Sequence, residues 1–441
     1  MPTRRSTGLS DRSYGEPEER AEIGGLMSEH ATCVVVGGGP AGMVLGLLLA
    51  RAGVEVCVLE KHGDFLRDFR GDTVHPSTLQ LLDELGLSER FAQLPQSRVD
   101  EVAFPIDNHR TVVLADFRRL KVRYPYVAMV PQWDLLDLLA DAGADEPTFT
   151  LRMHTEVTHL VQGSDRVQGV LYRRPDGTTG EIRADLVVAC DGRWSLARRQ
   201  ADLPLKEFRV PIDAWWFRLP RTPEDNPSSL TPRAAKGRFA VVIPREDFLQ
   251  FAYIAKKGTD SQLRARGVES FRRDIAELMP ELADRVDALE SMDDVKHLDV
   301  RLNRLNRWHV DGLLCIGDAA HAMSPVGGVG INLAVQDAVA AATLLAGPLT
   351  RGAVTPKDLA AVRRRRLWPT IVVQALQRLM HRGFVAPILE GQRMGPPKAV
   401  LALLQRVPQM SSVTAYVIGV GLRPEHAPAF AARSPQRAGS A

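Results

Sequence analysis

The chain has four cysteines among 441 residues, and nothing in their spacing suggests that they pair. Cys33, Cys57, Cys190 and Cys315 each fall inside an apolar run that reads as a strand. Such thiols act as small buried hydrophobes. Without an export signal they point to a reduced, cytoplasmic protein. No CxxC or histidine-rich spacing supports a metal site. An excess of one charge is also missing. The chain has 56 basic residues against 53 acidic ones, a net charge of +3, which is too balanced to argue for nucleic acid. No run approaches the ~18 apolar residues of a transmembrane span. Asp11, Arg12, Glu16, Glu18 and Glu19 stand where an export signal after Arg4-Arg5 would need an apolar stretch. There is no internal repeat. What remains, 45% hydrophobic and 25% charged, is ordinary for a globular enzyme of two or three domains.

Residues 1–28 read as a polar, disordered extension, with Met27 as an alternative start. Residues 31–36, 41–52 and 54–60 then predict strand, helix and strand, with Gly53 ending the helix. Pro76 and Pro131 open helices over 77–85 and 132–140, where a missing N–H costs nothing. Residues 151–190 read as a meander of strands. Residues 203–255 alternate apolar and polar and carry several aromatics, as in an antiparallel sheet. One face of that sheet covers a flat ligand, or its aromatics form a core against a helix; both readings stay open. Helices are expected over 268–290, over 331–346 and from 357 onward, with a kink or new start at Pro369. The basic run 363–366 reads as a solvated helix face, with a dock for an anionic coenzyme as the lesser alternative.

Two distant segments carry the chemistry. Val34-Val35-Val36-Gly37-Gly38-Gly39-Pro40-Ala41-Gly42 satisfies G-x-G-x-x-G between strand and helix. Gly37 makes the tight turn, Gly39 lets backbone approach a pyrophosphate, and Gly42 lets helix lie close on strand. The phosphates then meet the positive end of the helix that begins at Pro40 and Ala41. Glu60, 18 residues after Gly42, would accept hydrogen bonds from a ribose and repel a 2′-phosphate. That favours FAD or NAD over NADP. The second segment, 275 residues after Gly42, ends a strand in Gly317-Asp318. Asp318 suits the ribityl hydroxyls in the middle of FAD, or alternatively caps a helix with His321 at the surface. The loop that follows runs through Pro325, Gly327, Gly328, Gly330, Ile331 and Asn332. Backbone N–H groups at 330–332 would face the pyrimidine edge of a flavin, where reduced flavin carries negative charge. A third strand ends in Asp191-Gly192. No second G-x-G-x-x-G exists, so a nicotinamide has no dedicated domain.

With these three motifs in this order, the chain resembles the group A flavoprotein monooxygenases, the single-component aromatic hydroxylases of the p-hydroxybenzoate hydroxylase type. The resemblance covers about 29–350. It implies an α/β fold: a Rossmann-like FAD-binding domain of the glutathione-reductase type, interleaved with a mostly antiparallel substrate sheet and followed by C-terminal helices. The implied division is 29–95, 132–202 and 291–350 for FAD, 96–131 and 203–290 for substrate, and 351–441 for the helices. It further implies non-covalent FAD, NAD(P)H as a transient co-substrate, and O2. The expected outcome is oxygen transfer to an aromatic or polyketide-like small molecule through a flavin C4a-hydroperoxide. Glu60 with Lys61 would hold the adenosine, Arg70 and Gln132 the phosphate and ribityl region, and Asp191 both FAD and NAD(P)H. Val157 and Gly192 join the cofactor set, Asp318 holds ribityl and pyrophosphate, and 325–332 lines the isoalloxazine. His75 reads as structural. Trp216, Arg218 and Tyr253 are the substrate-side candidates.

The chain also departs from the family. No counterpart exists for the tyrosine pair that deprotonates a phenol, and Arg245 after Pro244 reads as turn chemistry. A simple hydroxybenzoate is therefore not the expected substrate. The absence of W-x-W-x-I-P, and of a lysine near the flavin loop, argues against a halogenase. A reductase or oxidase of the same fold, a plain NAD dehydrogenase and a non-catalytic binding protein stay open, as does a homodimer.

All four cysteines are expected to react with a thiol reagent in denaturant without reductant. A disulfide-linked peptide in a non-reducing digest would refute this.

Overall fold

Residues 34–36, 187–189 and 313–315 are apolar at consecutive positions, so strands built from them need cover on both faces. They have that cover in the computed structural model, which describes residues 29–66, 73–105, 111–225, 229–235, 237–393 and 395–434. The extension 1–28 and Arg70 lie outside the described residues. The principal strands are β1 (Glu29–Val36), β2 (Val56–Leu59), β3 (Thr179–Ala189), β4 (Ile212–Pro220), β5 (Phe248–Lys256) and β6 (Leu313–Cys315).

In an eight-stranded sheet the spatial order is His309–Val310, β6, β3, β1, β2, Phe149–Arg152. Strand β3 runs parallel to both β6 and β1, and β2 runs parallel to both β1 and the strand Phe149–Arg152. Val36 lies opposite both Leu59 and Ala189, and Ala189 opposite Cys315. Four parallel strands therefore end in one row, and the segments after them emerge side by side. Helices α1 (Pro40–Arg51) and α2 (Gly330–Thr350) pack on each other. Gly46 lets α1 sit low on the sheet, since a Cβ there would stand 2.8 Å from Val58 and Phe149. Among the described residues α2 is the one helix long and apolar enough to cross a membrane, and 72% of that apolar window is buried inside the protein.

The second sheet has seven strands, in the order Lys296–Leu298, β4, β5, Arg238–Pro244, Ser229–Ala235, Glu101–Pro105, Thr111–Asp116. Strand alternation sorts its side chains. Trp215, Phe217, Phe251 and Tyr253 pack on the helix Gly267–Leu278. Ala214, Trp216 and Ile254 point the other way, toward Met323, Val329 and Leu333.

Three local expectations change. The helix expected over 268–290 stops at Leu278, because Pro280 excludes helical backbone at Met279 (φ −141, ψ 79). Pro369 does not interrupt α3 (Pro356–Met380). Proline cannot donate to the carbonyl of Arg365, and Arg423 Nη1 approaches that carbonyl at 3.5 Å instead. Finally, the run 363–366 is not simply a solvated face. Arg366 is fully buried, with Nε 3.1 Å from Asp337 Oδ1 and Nη1 3.2 Å from Glu425 Oε1.

Asp337 itself has 0% exposure. Burial works against its ionised form, but His321 and Arg366 outweigh this and hold its pKa below the ordinary value. A depressed carboxylate pKa gives stability that is present above the unfolded value and lost as pH falls through the folded one. Arg366→Met leaves two buried carboxylates short of a cation, so the unfolding free energy is expected to drop by about 3–5 kcal/mol. Chemical denaturation checks the size. A variant as stable as the parent would remove the network from the account.

Candidate active site

The row of strand ends builds the site. Gly37 leaves β1 with φ +103, and a Cβ there would stand 2.6 Å from the carbonyl oxygen of Cys190, just past β3. A Cβ on Gly42 would lie 2.0 Å from the carbonyl oxygen of Gly37, so only glycine lets α1 start this close to the turn. Around Gly39 nothing stands within 4 Å of a built Cβ, which leaves that side of the turn open. No side chain caps α1, and Pro40 and Ala41 form its first positions. The helix thus offers bare N–H groups to an anion.

Glu60 directly follows β2 and has a buried carboxylate. Its Oε2 accepts the Gly38 N–H at 2.9 Å. Its Oε1 accepts the His62 N–H at 3.0 Å and lies 2.6 Å from His62 Nδ1. It therefore locks the glycine turn as well as facing it. Lys61 beside it is exposed. Gln132 is half-buried at the start of its helix, whereas Val157 is a core residue of the strand Glu156–Gln162.

Asp191 has a structural task that sequence reasoning missed. Its Oδ2 accepts the N–H groups of Leu196 (2.7 Å) and Ala197 (3.2 Å), so it caps the short helix Leu196–Gln200. Gly192, at φ +78, turns the chain so that it can. Burial pushes the Asp191 pKa up. Its Oδ1 is buried without a hydrogen-bond partner among the described residues, and the Asp191 Cα would stand 3.2 Å from a Cβ on Gly37.

Gly317, at φ +58, brings the two distant segments together. A Cβ there would come within 3.3 Å of Ala41 on α1 and 3.2 Å of Ala334 on α2. Asp318 is partly exposed, with Oδ2 3.4 Å from Arg193 Nη2. His321, by contrast, is not a surface residue: it is buried, with Nε2 2.6 Å from Asp337 Oδ2.

The loop through Pro325 is held from outside. Gln377 on α3 donates to the carbonyls of Ser324 (2.8 Å) and Val326 (2.9 Å) and accepts the Ser324 N–H (3.2 Å). His381 Nε2 lies 2.9 Å from Ser324 Oγ, and burial lowers the His381 pKa to about 4. Gly327 (φ +86) and Gly328 (φ +65) shape the turn, and Gly328 N–H donates to the Pro325 carbonyl at 2.9 Å. Thr73 Oγ1 donates to the Gly328 carbonyl at 3.1 Å. Gly330 and Ile331 open α2, which no side chain caps. Asn332 is structural: its Oδ1 accepts Ser77 Oγ (2.8 Å) and Thr78 Oγ1 (3.0 Å). His75 is buried near Gly328, with its pKa lowered to about 4 by burial.

The three substrate-side candidates do not share a surface. Trp216 and Arg218 project from one face of β4. Tyr253 lies on the other, 4% exposed and edge-on to Phe271, and burial lifts its pKa to about 12. It belongs to the core, because it pairs with Trp215 rather than Trp216. Arg245 is not an open turn residue. It is buried, donates from Nε to Gln250 Oε1 at 2.8 Å, and has its pKa lowered by burial to about 10.

Taken together, the residues fit FAD. Two uncapped helix starts, a turn that excludes side chains, an unsatisfied Asp191 oxygen and Asp318 lie along one edge of the sheet. The model of the FAD binding domain family matches residues 30–375. A 6-methylpretetramide 4-monooxygenase of Streptomyces rimosus is 34% identical over 391 residues, which are 87% of this chain and 91% of that protein.

The chain belongs to this family of FAD-dependent monooxygenases.

A more distant relative, the para-nitrophenol 4-monooxygenase of a Pseudomonas strain, is 26% identical over 76% of this chain and 83% of its own. The solved structure of OxyS anhydrotetracycline hydroxylase from Streptomyces rimosus shares the fold at TM-score 0.71 and 24% identity, over 89% of this chain and 77% of that one. The pqsL structure from Pseudomonas aeruginosa, a probable FAD-dependent monooxygenase, does so at TM-score 0.69 and 21% identity, over 85% of this chain and all of that one.

In this monooxygenase Gly42→Ala forces a Cβ onto backbone at 2.0 Å. The loss of about 1.4 kcal/mol or more should weaken FAD retention at least about tenfold. Flavin absorbance after gel filtration reads the effect. Full retention by the variant would show that the turn is not where FAD sits.

Proposed function

We propose that this monooxygenase hydroxylates an electron-rich, polycyclic aromatic ring held against the face of β4 and β5 that carries Trp216. One observation carries the reading. The indole N–H of Trp216 is buried with no hydrogen-bond partner among the described residues. Its surroundings include Val326, Val241 and Phe384, all apolar. An unpaired buried donor is costly, and an oxygen on a bound ring would satisfy it. Arg218 and Gln250 pair across β4 and β5 on the same face and add polar groups farther along. The names of the relatives, which act on 6-methylpretetramide, anhydrotetracycline and para-nitrophenol, support an aromatic substrate.

The chemistry that bound FAD supplies is transfer of one oxygen atom from O2 to the ring, with NAD(P)H as electron donor. The chain's part is binding and exclusion. The starts of α1 and α2 would hold the anionic portions of the cofactor, and the locked Glu60 would face an unphosphorylated ribose. Gln377 and His381 keep the loop of Pro325, Gly327 and Gly328 in place from behind. Met323, Val329 and the 384–389 segment close the apolar side and keep water out. Since no second dinucleotide motif exists, the nicotinamide coenzyme would visit an open surface near Asp191.

A screen of polycyclic phenols and quinones that follows NADH and NADPH oxidation tests the reading. The true substrate is expected to raise coenzyme oxidation at least about tenfold and to acquire ¹⁸O from ¹⁸O2. Product without label would replace oxygenation by a reductase or oxidase reaction. Trp216→Phe keeps the ring but removes the donor, and should cost about 1 kcal/mol, or roughly fivefold, in kcat/KM. An unchanged kcat/KM would move the substrate off this face.

A further inference from the structure

Apolar exposure and positive charge are concentrated in the same part of this molecule. Among the described residues twelve large hydrophobic side chains are exposed, and all but Leu66 and Trp194 lie between Trp368 and Tyr416. On α3 these are Trp368, Ile371, Leu376 and Leu379. Steps of three, five and three residues keep them on one side of the helix. Buried residues of α3, among them Val362, Arg366, Val373 and Gln377, turn the other way. The rest of the exposed set lies on or between α4 (Lys398–Arg406) and α5 (Met410–Gly419), including Val400, Leu403, Val413 and Tyr416.

The charge follows the same segment. Residues 359–424 contain nine arginines and one lysine against a single acid, Glu390. That is a surplus of nine in a chain whose total surplus is three, so the remainder carries a deficit of six. Arg365 and Arg366 are neutralised inside by Glu425 and Asp337. Arg364, Arg382, Arg393 and Arg406 are exposed, with no carboxylate partner among the described residues. Helices α3 and α5 also line a crevice, with Pro369, Val373, Ile418 and Val420 on its walls and Val329 and Leu333 of the loop and α2 at its base.

We propose that this C-terminal region, with the exposed apolar side of α3 at its centre, docks on the surface of an anionic lipid bilayer. Tryptophan, leucine and valine exposed on helices, flanked by arginine and almost free of acid, match the interface between headgroups and acyl chains. A second copy of the chain is a poor occupant, because pairing the face with itself would bring arginines against arginines. Water alone leaves an apolar surface larger than scattered single side chains unexplained.

The test is co-sedimentation of the full, FAD-loaded chain with vesicles. One set is phosphatidylglycerol mixed with phosphatidylcholine, the other phosphatidylcholine alone. The anionic vesicles are expected to carry down at least about ten times more protein, and high salt should abolish the difference. Arg364→Glu with Arg406→Glu, and separately Trp368→Ser with Leu379→Ser, should lose sedimentation while keeping FAD content and the circular dichroism of the parent. Equal recovery with both vesicle types would overturn the proposal. So would light scattering that shows a dimer which Trp368→Ser with Leu379→Ser converts to monomer, since a second copy would then cover the face. Neither readout depends on catalysis, so failure here leaves the hydroxylase reading untouched.

Discussion

Asp337 has no contact with solvent, and three separate parts of the chain depend on it. Its Oδ2 accepts the N–H of Gly317 at 3.1 Å and lies 2.6 Å from His321 Nε2, while its Oδ1 accepts Arg366 Nε at 3.1 Å. The first two contacts fix the Gly-Asp segment. The third reaches α3, and through Arg366 extends to Glu425 and the carbonyl of Arg423. The Glu425 N–H in turn bonds to Gln336, one residue before Asp337. A buried carboxylate costs several kcal/mol to desolvate, and only dense pairing offsets that. The offset exists only when α2, α3 and the 423–425 segment are all in place, so the network couples the C-terminal region to the strand end at Gly317 and Asp318.

That coupling explains how the site is shaped without being built mainly from charged side chains. The turn at Gly37, the approach of Gly42 and the insertion of Gly317 between Ala41 and Ala334 are backbone devices. The loop after Ser324 is held by Gln377 and His381, which stand more than fifty residues away. Binding groups on rigid elements, supported from behind, keep their positions when a ligand arrives. On the face of β4 and β5 that looks toward the loop of Pro325 the polar groups are few: the indole of Trp216, Arg218 and Gln250 on a largely apolar surface.

The sheet shows how one residue of register changes a functional assignment. Trp215 and Trp216 are neighbours in sequence, yet one packs with Tyr253 in a core against the helix Gly267–Leu278 and the other faces the loop of Pro325. Alternation over 203–255 was legible as a sheet, but a period of two leaves open which set faces inward. Nothing local therefore separates Tyr253 from Trp216 and Arg218, which the structure puts on opposite faces. Arg366 was misplaced for a related reason: four consecutive arginines look solvated, and nothing local says that one of them faces two buried carboxylates.

The sequence by itself determined the parts governed by short-range rules. The glycine spacing between strand and helix, the acid at the end of the second strand, the Gly-Asp and Asp-Gly strand ends, and the prolines at helix starts each act within a few residues. They specified the fold class and put the glycine turn, the acid and the Gly-Asp and Asp-Gly segments at strand ends that the structure aligns in one row. The tertiary structure alone decided what depends on distant partners. It assigned Asp191 to capping the helix Leu196–Gln200, Asn332 to Ser77 and Thr78, and Gln377 to the loop of Pro325. It also decided which face of β4 looks toward the loop of Pro325. The reason is that a hydrogen bond between residues hundreds of positions apart leaves no periodicity in either segment, while a glycine turn has to be written into the residues that make it.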